Sequence, residues 1–434
     1  MFRPTGFADL EGRRVGIFGY GVEGRAAVAR LRGVADLVIV DDAEGVSDEV
    51  LVTDRGGIEA LATCDVVLKS PGIPRRRADV LELEREGVTV TSALNLWLHD
   101  TDLDRVVAVT GTKGKSTTTS LITFFLACLG QRAQRLGNIG QPPYDPSVDT
   151  SEGWLVLEVS SFQVVDIDVA PRVVVVTSLG EDHVDWHGSL EQYRHDKLSL
   201  TRAPGEHVTL VADNPTLRDH ETQIGGTLHY VANDSTSLAT SLGLIGEHND
   251  GNVALALVAA ATLTGESLDA IRAAVERRAS EFTPLRGRLT LVASESIDSV
   301  TLRYVDDGLA TSVLPTLAAL EVFSDVAVAL IAGGFDRGVD YAELADALVA
   351  RSAPTTLITM GNAGARLSDE VRLRSHDLIQ HAASTMLEAV TLARNSLDAG
   401  GVVLLSPAAP SFDLYRNWEE RSDDFTTIVR SLLL

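Results

Sequence analysis

The chain has 434 residues, of which 45% are hydrophobic and 23% are charged, and its formal net charge is -24 at pH 7. This length exceeds what one hydrophobic core serves, and ordinary domain sizes predict about two to four domains. The excess of negative charge argues against a nucleic-acid partner, since such binding requires clustered Lys and Arg. The sequence shows neither an apolar leader nor a run of about 20 apolar residues, which predicts a cytoplasmic protein without membrane association.

The first hundred residues carry a strand followed by Gly-x-Gly-x-x-Gly, which begins at Gly19 and ends at Gly24. An acidic pair, Asp41 and Asp42, ends the next apolar run. This order is typical of a dinucleotide-binding fold, in which the acid meets a ribose hydroxyl. A third apolar run leads into a Pro-Gly turn at 70–72. Ligands bind at the carboxyl ends of strands in open α/β sheets, although a plain β-α turn is the alternative.

A second glycine-rich turn, Gly111-Thr112-Lys113-Gly114-Lys115-Ser116-Thr117, separates a β-branched run from an apolar segment of helical character. This order predicts a strand, a phosphate-binding loop and a helix. Backbone N–H groups at the helix start would hold phosphate oxygens, Lys115 would add a compact positive charge, and Ser116 or Thr117 a Mg²⁺ ligand. The spacing is shorter than the Walker pattern, so a turn without a ligand is the alternative.

Lysine is rare in this chain. Only four of the 37 Lys and Arg residues are lysines, at positions 69, 113, 115 and 197. A lysine retained among arginines indicates a task that a guanidinium cannot perform, such as a point contact to phosphate or a reaction of the free amine. The two cysteines, Cys64 and Cys128, have neither metal-ligand nor redox spacing and are predicted to pack in the core.

The segment after the phosphate loop alternates strand and helix patterns, which predicts a mostly parallel sheet with helices on both faces. Glu158 ends an apolar strand, where a carboxylate suits a Mg²⁺ contact. His183 is either a metal ligand or an exposed loop histidine. Asn249 and Asn252 precede an apolar helix predicted at 253–263, which they could cap, or they could reach a purine base.

The last third follows a predicted linker at 282–284 and has the pattern of another α/β domain. Strands are predicted at 302–305, 326–331, 355–359 and 401–405, and polar loops follow three of them, at 306–312, 333–338 and 406–413. These loops are predicted to form one rim that holds a substrate.

Together these motifs resemble the Mur ligase family over almost the whole chain. The resemblance is closest to the MurD type, which adds glutamate to UDP-N-acetylmuramoyl-L-alanine in peptidoglycan precursor synthesis. It implies three α/β domains: a Rossmann-like UDP-substrate domain at 1–101, a central ATP-binding domain with a mostly parallel sheet at 102–281, and a Rossmann-like amino-acid-binding domain at 282–434. The first domain would then hold UDP and no dinucleotide.

The resemblance also assigns residues to five sets, some of which share members. The ATP set is Gly111, Thr112, Gly114, Lys115, Ser116, Thr117, Asn249, Asn252, Arg288 and Asp307. The UDP-substrate set is Gly19, Tyr20, Gly21, Val22, Glu23, Asp41, Asp42, Ser70, Pro71, Gly72, Asn138, Ser160 and Gln163. The glutamate set is Thr311, Arg337, Ser411, Phe412 and Trp418. The catalytic residues would be Lys115, Glu158, His183 and Lys197, and the metal ligands would be Ser116, Glu158, His183 and Lys197 as a carbamate.

The implied reaction uses ATP and two Mg²⁺ ions to form an acyl phosphate, which the glutamate amine then attacks. The lysines of the D-glutamate enzymes are replaced here by Leu309 and Arg337, and the resulting pattern resembles a branch that adds L-glutamate and relies on a separate epimerase. L-glutamate is therefore favoured over D-glutamate, and a monomer is expected. The remaining alternatives are a folylpolyglutamate-synthase-like ligase and a Rossmann-type nicotinamide oxidoreductase or nucleotide-binding protein without ligase activity.

Overall fold

A computed structural model of the protein describes residues 2–233, 237–297 and 300–433, and in these ranges the chain forms three β-sheets. The chain divides into two compact units. The first comprises Met1–Thr236 and Asp250–Arg278, and the second comprises Ser237–Asn249 and Ala279–Leu434. The first two sheets lie in the first unit and the third sheet lies in the second.

The first sheet has the strand order β3-β2-β1-β4-β5, and its ladders are parallel. Its strands are β1 (Arg14–Phe18), β2 (Asp36–Asp41), β3 (Val50–Val52), β4 (Val66–Lys69) and β5 (Thr89–Thr91). Its helices are α1 (Val22–Leu31), α2 (Ile58–Leu61), α3 (Ala78–Arg85) and α4 (Ala93–Asp100). Successive residues of β1 enter separate cores: Ile17 packs on one face of the sheet and Phe18 on the other.

The second sheet has the order β11-β10-β9-β6-β8-β7 and is also parallel, as predicted. Its strands are β6 (Val106–Thr110), β7 (Ala133–Gly137), β8 (Trp154–Glu158), β9 (Val173–Val176), β10 (Val208–Ala212) and β11 (Thr227–Val231). The helices that follow these strands in the same unit are α5 (Lys115–Cys128), α6 (Ser161–Val164), α7 (Val184–His187), α8 (Leu190–Lys197), α9 (Pro215–Asp219) and α12 (Leu268–Glu276). The short helix α10 (Leu238–Ser241) belongs to the second unit, and α11 (His248–Thr264) begins in the second unit and continues in the first.

The third sheet has the order β12-β13-β17-β14-β15-β16. Its strands are β12 (Thr290–Ile297), β13 (Val300–Asp306), β14 (Val328–Gly333), β15 (Thr355–Met360), β16 (Ile379–Ala382) and β17 (Gly401–Leu405). Its helices are α13 (Val313–Val322), α14 (Ala342–Ala350), α15 (Gly361–Arg374), α16 (Met386–Asn395) and α17 (Trp418–Leu432). Along β14, Leu330 enters one core and its neighbours Ala329 and Ile331 enter the other, so helices cover both faces.

The structure corrects some element bounds and adds strands. The apolar helix predicted at 253–263 begins earlier, at His248, because its polar first turn is already helical. The strand predicted at 326–331 runs from Val328 to Gly333. β12 pairs with β13 in antiparallel fashion, an arrangement that the sequence analysis did not predict. Segment 237–249, which was assigned to the central domain, belongs to the second compact unit, and the three domain boundaries stay predictions.

Within 2–233, 237–297 and 300–433, no single helix is long and apolar enough to cross a membrane, and α11 and α12 reach that length only as a pair bent by 117°.

Candidate active site

The loop between β6 and α5 has the backbone that the glycine pattern predicted. Gly111 and Gly114 have φ values of +139° and +85°, in the region that favours glycine. A side-chain Cβ at Gly111 would lie 2.1 Å from Thr177 Oγ1, and one at Gly114 would lie 2.5 Å from Asn252 Oδ1. Both glycines are therefore required by close packing as well as by conformation. The loop leads into the N-terminus of a 14-residue helix, where backbone N–H groups favour an anion.

The segment that follows the neighbouring strand β9 holds this loop by hydrogen bonds. The Thr112 N–H donates to the Ser178 carbonyl at 3.0 Å, and the Lys113 N–H donates to Ser178 Oγ at 2.8 Å. Lys115 Nζ donates to the carbonyl oxygens of Gly111 and Thr112 at 2.9 and 3.1 Å. The loop thus has a defined shape, with the Lys115 ammonium held against it.

Glu158 lies beside the loop because β8 is the other neighbour of β6. In the register of the two strands it pairs with Val109, next to the start of the loop. Its side chain is buried, and Asn138 Nδ2 donates to Oε1 at 2.7 Å. Glu158 Oε2 is buried and has no hydrogen-bond partner among the described residues. A buried carboxylate oxygen without a partner is costly unless a cation binds it, so this oxygen fits Mg²⁺.

Ser116 places a hydroxyl group in the first turn of α5, where its side chain is buried. Within the described ranges no group of three or more His, Cys, Asp and Glu side chains is arranged to hold a metal ion. A Mg²⁺ site at Glu158 would therefore need ligands of other kinds, such as a hydroxyl, phosphate oxygens or a modified lysine.

His183 precedes α7 with a positive φ of 47°, an uncommon conformation for a residue other than glycine. Its ring lies 4.7 Å from the Phe162 ring, and its Nε2 lies 3.6 Å from Asp182 Oδ1. Burial lowers the pKa of His183, and the nearby Lys115 charge lowers it further, against the opposing effect of Asp182. The neutral imidazole that a metal requires is thereby favoured.

Lys197 occupies the last turn of α8 and is buried. Its Nζ donates to the Gly111 carbonyl at 3.0 Å and lies 5.1 Å from the centre of the Tyr193 ring. Burial, followed by the nearby Lys115 charge, holds the pKa of Lys197 well below its ordinary value. Desolvation thus favours the neutral, reactive amine at the phosphate loop.

The members of the predicted UDP set that belong to the first hundred residues lie at the carboxyl edge of the first sheet, whereas Asn138, Ser160 and Gln163 follow strands of the second sheet. The Tyr20 N–H donates to Asp41 Oδ2 at 2.6 Å, and Ser70 Oγ donates to the Gly19 carbonyl at 2.7 Å. Asp42 accepts a bidentate pair of hydrogen bonds from Arg77, at 2.6 and 2.7 Å. The fold therefore brings together the ends of β1, β2 and β4, which are adjacent in the sheet.

Two members of the UDP set, Glu23 and Gln163, form a hydrogen bond with each other. Gln163 Nε2 donates to Glu23 Oε1 at 2.5 Å, and the Tyr144 hydroxyl donates to Glu23 Oε2 at 3.0 Å. Gln163 also accepts from the Ser160 N–H at 2.8 Å and closes a capping box at the start of α6. Burial raises the pKa of Glu23. These side chains tie α1 to the segments around Tyr144 and α6, and the sequence analysis did not single out Tyr144.

The asparagines at the start of α11 occupy different surroundings. Asn252 is buried and accepts from Thr118 Oγ1 at 3.2 Å, which places it against α5 near Gly114. Asn249 Nδ2 donates to the Ile245 carbonyl at 2.8 Å. The boundary between the two units falls between Asn249 and Asp250. Asn252 therefore lies in the same unit as the phosphate loop, whereas Asn249 and Arg288 belong to the second unit.

In the second unit, Asp307 follows β13 and is buried. It accepts from Ser406 Oγ at 2.8 Å and from the Leu289 N–H at 3.3 Å. Burial raises the pKa of Asp307 to about 7. Ser406 directly follows β17, the strand that lies between β13 and β14 in the sheet.

Arg421, which the sequence analysis did not identify, joins the three polar loops of this rim. From α17 its guanidinium donates to the carbonyl oxygens of Gly308, Ala409 and Gly333 at 3.0, 3.1 and 3.5 Å. The Gly308 and Ala409 oxygens belong to the loops after β13 and β17, and the Gly333 oxygen lies at the end of β14, where the third loop begins. These parallel strands end at one edge of the sheet. The side chain is buried, and burial lowers the pKa of Arg421 to about 10.

The predicted glutamate residues lie on or beside these loops. The Arg337 guanidinium lies 5.6 Å from the centre of the Phe412 ring, which is 56% exposed. Ser411 is buried, Thr311 is exposed, and a Cβ at Gly287 would lie 2.6 Å from the Trp418 ring.

Comparison with known proteins decides the family. Residues 109–225 match the model of the Mur ligase middle domain. A UDP-N-acetylmuramoyl-L-alanine–L-glutamate ligase of Salinispora tropica is 38% identical over 458 aligned positions, covering 98% of this chain and 98% of the relative. The chain belongs to the Mur ligase family. Mur ligases are ATP-dependent ligases of peptidoglycan precursor synthesis, which implies ATP and Mg²⁺ here.

Other Mur ligases are similar to the chain in sequence or in fold. A UDP-N-acetylmuramoyl-L-alanine–L-glutamate ligase of Xanthomonas axonopodis is 34% identical, covering 97% of this chain and 96% of the relative. A UDP-N-acetylmuramoylalanine–D-glutamate ligase of Symbiobacterium thermophilum is also 34% identical, covering 87% of this chain and 86% of the relative. The solved structure of MurF from Acinetobacter baumannii has a TM-score of 0.55 at 16% identity, covering 95% of this chain and 93% of that one. It supports the predicted three-domain α/β fold.

One expectation about the lysines does not hold for Lys69. Its Nζ lies 2.7 Å from Asp166 Oδ2 and donates to the Ile73 carbonyl at 2.9 Å, with both charged side chains buried. This buried ion pair joins the end of β4 in the first sheet to the segment after α6. In the structure, Lys69 makes no contact with the phosphate loop. Rarity alone therefore does not distinguish a lysine that binds phosphate from one that pairs in the core.

Proposed function

We propose that this Mur ligase joins glutamate to the L-alanyl carboxylate of UDP-N-acetylmuramoyl-L-alanine at the expense of ATP. The observation that carries the proposal is the convergence of Lys115, Glu158 and Lys197 on one phosphate loop in a chain with glutamate-ligase relatives over its full length. The Rossmann-type alternatives leave this group of residues unexplained.

The chemistry requires two transfers. A carboxylate oxygen of the alanyl group attacks the γ-phosphorus of ATP, and ADP leaves. The glutamate amine then attacks the acyl carbon, loses a proton, and inorganic phosphate leaves as the amide forms. Charge develops on oxygen atoms in both steps, so fixed cations and correct positioning should supply most of the catalysis. Lys115 would turn from the loop carbonyls toward the β- and γ-phosphates, which the backbone N–H groups at the start of α5 would also bind.

The residues described above fit two Mg²⁺ ions. Ser116 and Glu158 would hold one ion, and His183 with a carbamate on Lys197 would hold the second. Bound Mg²⁺ supplies neutralisation of the phosphate oxygens and so favours attack at phosphorus.

The carbamate forms when the neutral amine of Lys197 bonds to the carbon of CO₂ and a proton is released. Only the unprotonated amine carries the electron pair for this bond. The lowered pKa of Lys197 therefore supports the modification, and a guanidinium at this position could not be modified in the same way.

The remaining sets of residues extend the proposal to the substrates. The backbone from Gly19 to Glu23, the carboxylates of Asp41 and Asp42, and the turn at 70–72 would bind the UDP group, with Asn138 near the muramoyl part. Asn249 and Asn252 would lie near adenine, and Arg288 and Asp307 would contact ATP. We further propose that the enzyme is monomeric and cytoplasmic.

We favour L-glutamate as the amino acid. Both enantiomers carry the same charges, so selection depends on where the pocket fixes the two carboxylates. Leu309 offers no ionic contact, whereas Arg337 offers a planar fork for a bidentate grip. The relatives of S. tropica and X. axonopodis, whose names specify L-glutamate, support this preference. A separate epimerase would then act on the product, and D-glutamate is the alternative.

The test is phosphate release with UDP-N-acetylmuramoyl-L-alanine, ATP, Mg²⁺ and each pure glutamate enantiomer. We expect turnover only when all substrates are present, and a preference of roughly tenfold or more for L-glutamate, the size of one charge-assisted contact. Rapid ATP hydrolysis by the protein alone would contradict the ligase assignment. Preference for D-glutamate would overturn only the choice of enantiomer.

A further inference from the structure

Asp196, the residue before Lys197 on α8, is the centre of a buried polar cluster. Arg76 donates to its two carboxylate oxygens from Nη1 and Nη2, at 2.8 and 2.9 Å. His187 Nδ1 lies 2.8 Å from Oδ2, and Gln192 Nε2 donates to Oδ1 at 2.7 Å. The carboxylate is only 4% exposed. Each carboxylate oxygen of Asp196 thus has one partner on Arg76 and a second polar partner. Rotation of α8 would break this arrangement.

The Arg76 partner lies in the loop after β4, the same loop that carries the turn at 70–72. The Trp186 indole Nε1, on α7, donates to the Gly72 carbonyl of that turn at 3.3 Å. The segment from α7 to α8 is therefore attached to this loop at two points, one at Gly72 and one at Arg76. We call residues 70–76 the substrate loop.

The opposite contacts of α8 reach the phosphate loop. The Tyr193 hydroxyl lies 2.8 Å from Thr112 Oγ1, and Lys197 Nζ donates to the Gly111 carbonyl. Tyr193 also packs against the His187 ring, with 5.2 Å between ring centres. A single helical turn of α8 therefore bonds to the substrate loop through Asp196 and to the phosphate loop through Tyr193 and Lys197.

We propose that Asp196 is a positioning residue that, with Arg76, fixes α8 against the substrate loop and so places the Lys197 amine at the phosphate loop. The inference rests on the proposed function, because it takes the substrate loop to meet the UDP-sugar and Lys197 to carry the carbamate. It follows that the position of the substrate loop is coupled to the modification of Lys197. Without the contact between Asp196 and Arg76, the Lys197 side chain could adopt other rotamers. A smaller fraction of molecules would then present the amine to CO₂.

Two substitutions separate this role from general stability. Asp196→Asn retains size and one acceptor oxygen but loses the charge and the symmetric fork. Arg76→Ala removes the partner of Asp196, and because the Arg76 side chain is 48% exposed, little core packing is lost. Arg76→Lys retains the charge without the fork. The matched control is Arg218→Ala, which breaks a bidentate pair with Asp213 (2.8 and 3.0 Å) elsewhere in the same unit.

The first readout is the carbamate itself, followed as the ¹³C NMR signal of the holoenzyme during titration with ¹³C-bicarbonate. Lys197→Ala identifies the signal. We expect Asp196→Asn and Arg76→Ala to need about tenfold more bicarbonate for half-maximal signal, Arg76→Lys to be intermediate, and Arg218→Ala to match the wild type. The double variant should be no worse than the worse single variant, because both changes remove one interaction.

The second readout is steady-state turnover at saturating and limiting UDP-sugar. We expect a fall of about tenfold in kcat for Asp196→Asn, restored in part by high bicarbonate, and a raised KM for the UDP-sugar in Arg76→Ala with an unchanged KM for ATP. A purely structural defect would lower the amount of active enzyme and leave both KM values and the bicarbonate midpoint unchanged.

Wild-type bicarbonate midpoints and kcat in folded Asp196→Asn would overturn the inference. If Asp196→Asn does not fold, the same two measurements on Arg76→Ala decide the question. Wild-type values in Arg76→Ala would likewise overturn the inference. Absence of ligase turnover in the wild type would instead overturn the proposed function, while the carbamate titration would still decide whether Asp196 positions Lys197.

Discussion

Lys115 and Lys197 donate to one shared acceptor, the carbonyl oxygen of Gly111, at 2.9 and 3.0 Å. The two amines come from different helices and meet at the phosphate loop. Because Lys197 is buried and lies near the Lys115 charge, its neutral form is favoured. One lysine can therefore serve as the cation for phosphate while the other supplies a reactive amine.

The first prediction concerns the cation. Lys115→Ala should lower kcat by about 100-fold or more with the fold intact, because a fixed positive charge is lost where phosphoryl charge develops. Phosphate release measures the turnover, and urea unfolding of both proteins provides the control for folding. Near-normal turnover in the variant would contradict the assignment of the phosphate loop.

The second prediction concerns the modified lysine. Lys197→Arg keeps a positive charge but cannot form the carbamate, so ligase activity should be lost, and high bicarbonate should not restore it. The measurement is turnover over a series of bicarbonate concentrations, with the wild type as the reference. Full activity in Lys197→Arg would argue against carbamylation.

The third prediction follows from the buried carboxyl of Asp307. Its pKa is raised from 3.8 to about 7, so between these values the carboxyl is protonated in the folded protein and ionised in the unfolded chain. The stability that it contributes is therefore fully present below pH 3.8, is lost as the pH rises to about 7, and then stays constant. The loss is roughly 1.4 kcal/mol for each pH unit in this window.

Urea unfolding of the wild type and Asp307→Asn at several pH values tests this directly. The difference in free energy of unfolding, wild type minus variant, should fall between about pH 4 and pH 7 and be flat above pH 7. The variant's amide does not titrate, so a difference that is constant across this range would show that Asp307 has an ordinary pKa.

The fourth prediction concerns Arg421. Arg421→Met should destabilise the protein by about 2–4 kcal/mol, since three buried carbonyl oxygens lose a donor. The matched control is Arg416→Met, which removes an exposed pair with Glu420 in the same region and should cost less than about 1 kcal/mol. Equal effects in urea unfolding would show that Arg421 does not hold the three loops together.

The fifth prediction concerns recognition of glutamate. Arg337→Ala should raise the KM for glutamate by roughly tenfold or more, because a charge-assisted contact to a carboxylate is lost, and leave the KM for ATP unchanged. Steady-state turnover at varied glutamate measures the change. An unaltered KM for glutamate would remove Arg337 from the glutamate set.

The sequence by itself determined the features that depend on local backbone chemistry. Gly111 and Gly114 predicted the phosphate loop because their positive φ values are restricted to glycine. The β-branched runs predicted parallel strands, and the carboxyl end of one of them located Glu158 beside that loop. These signals are contained in short segments, so they can be identified without knowledge of the fold.

Only the tertiary structure decided which polar side chains meet. Arg76 and Asp196 are 120 residues apart in the chain, and Glu23 and Gln163 are 140 apart. Arg421 reaches three loops from a helix whose polar pattern resembles that of a surface helix. Lys69 and Lys197 are both buried lysines, yet one has a carboxylate partner and the other a carbonyl at the phosphate loop. Residue type and spacing do not encode these partners, because a buried charge is defined by its neighbours across the fold, and it is those neighbours that determine its pKa and its role.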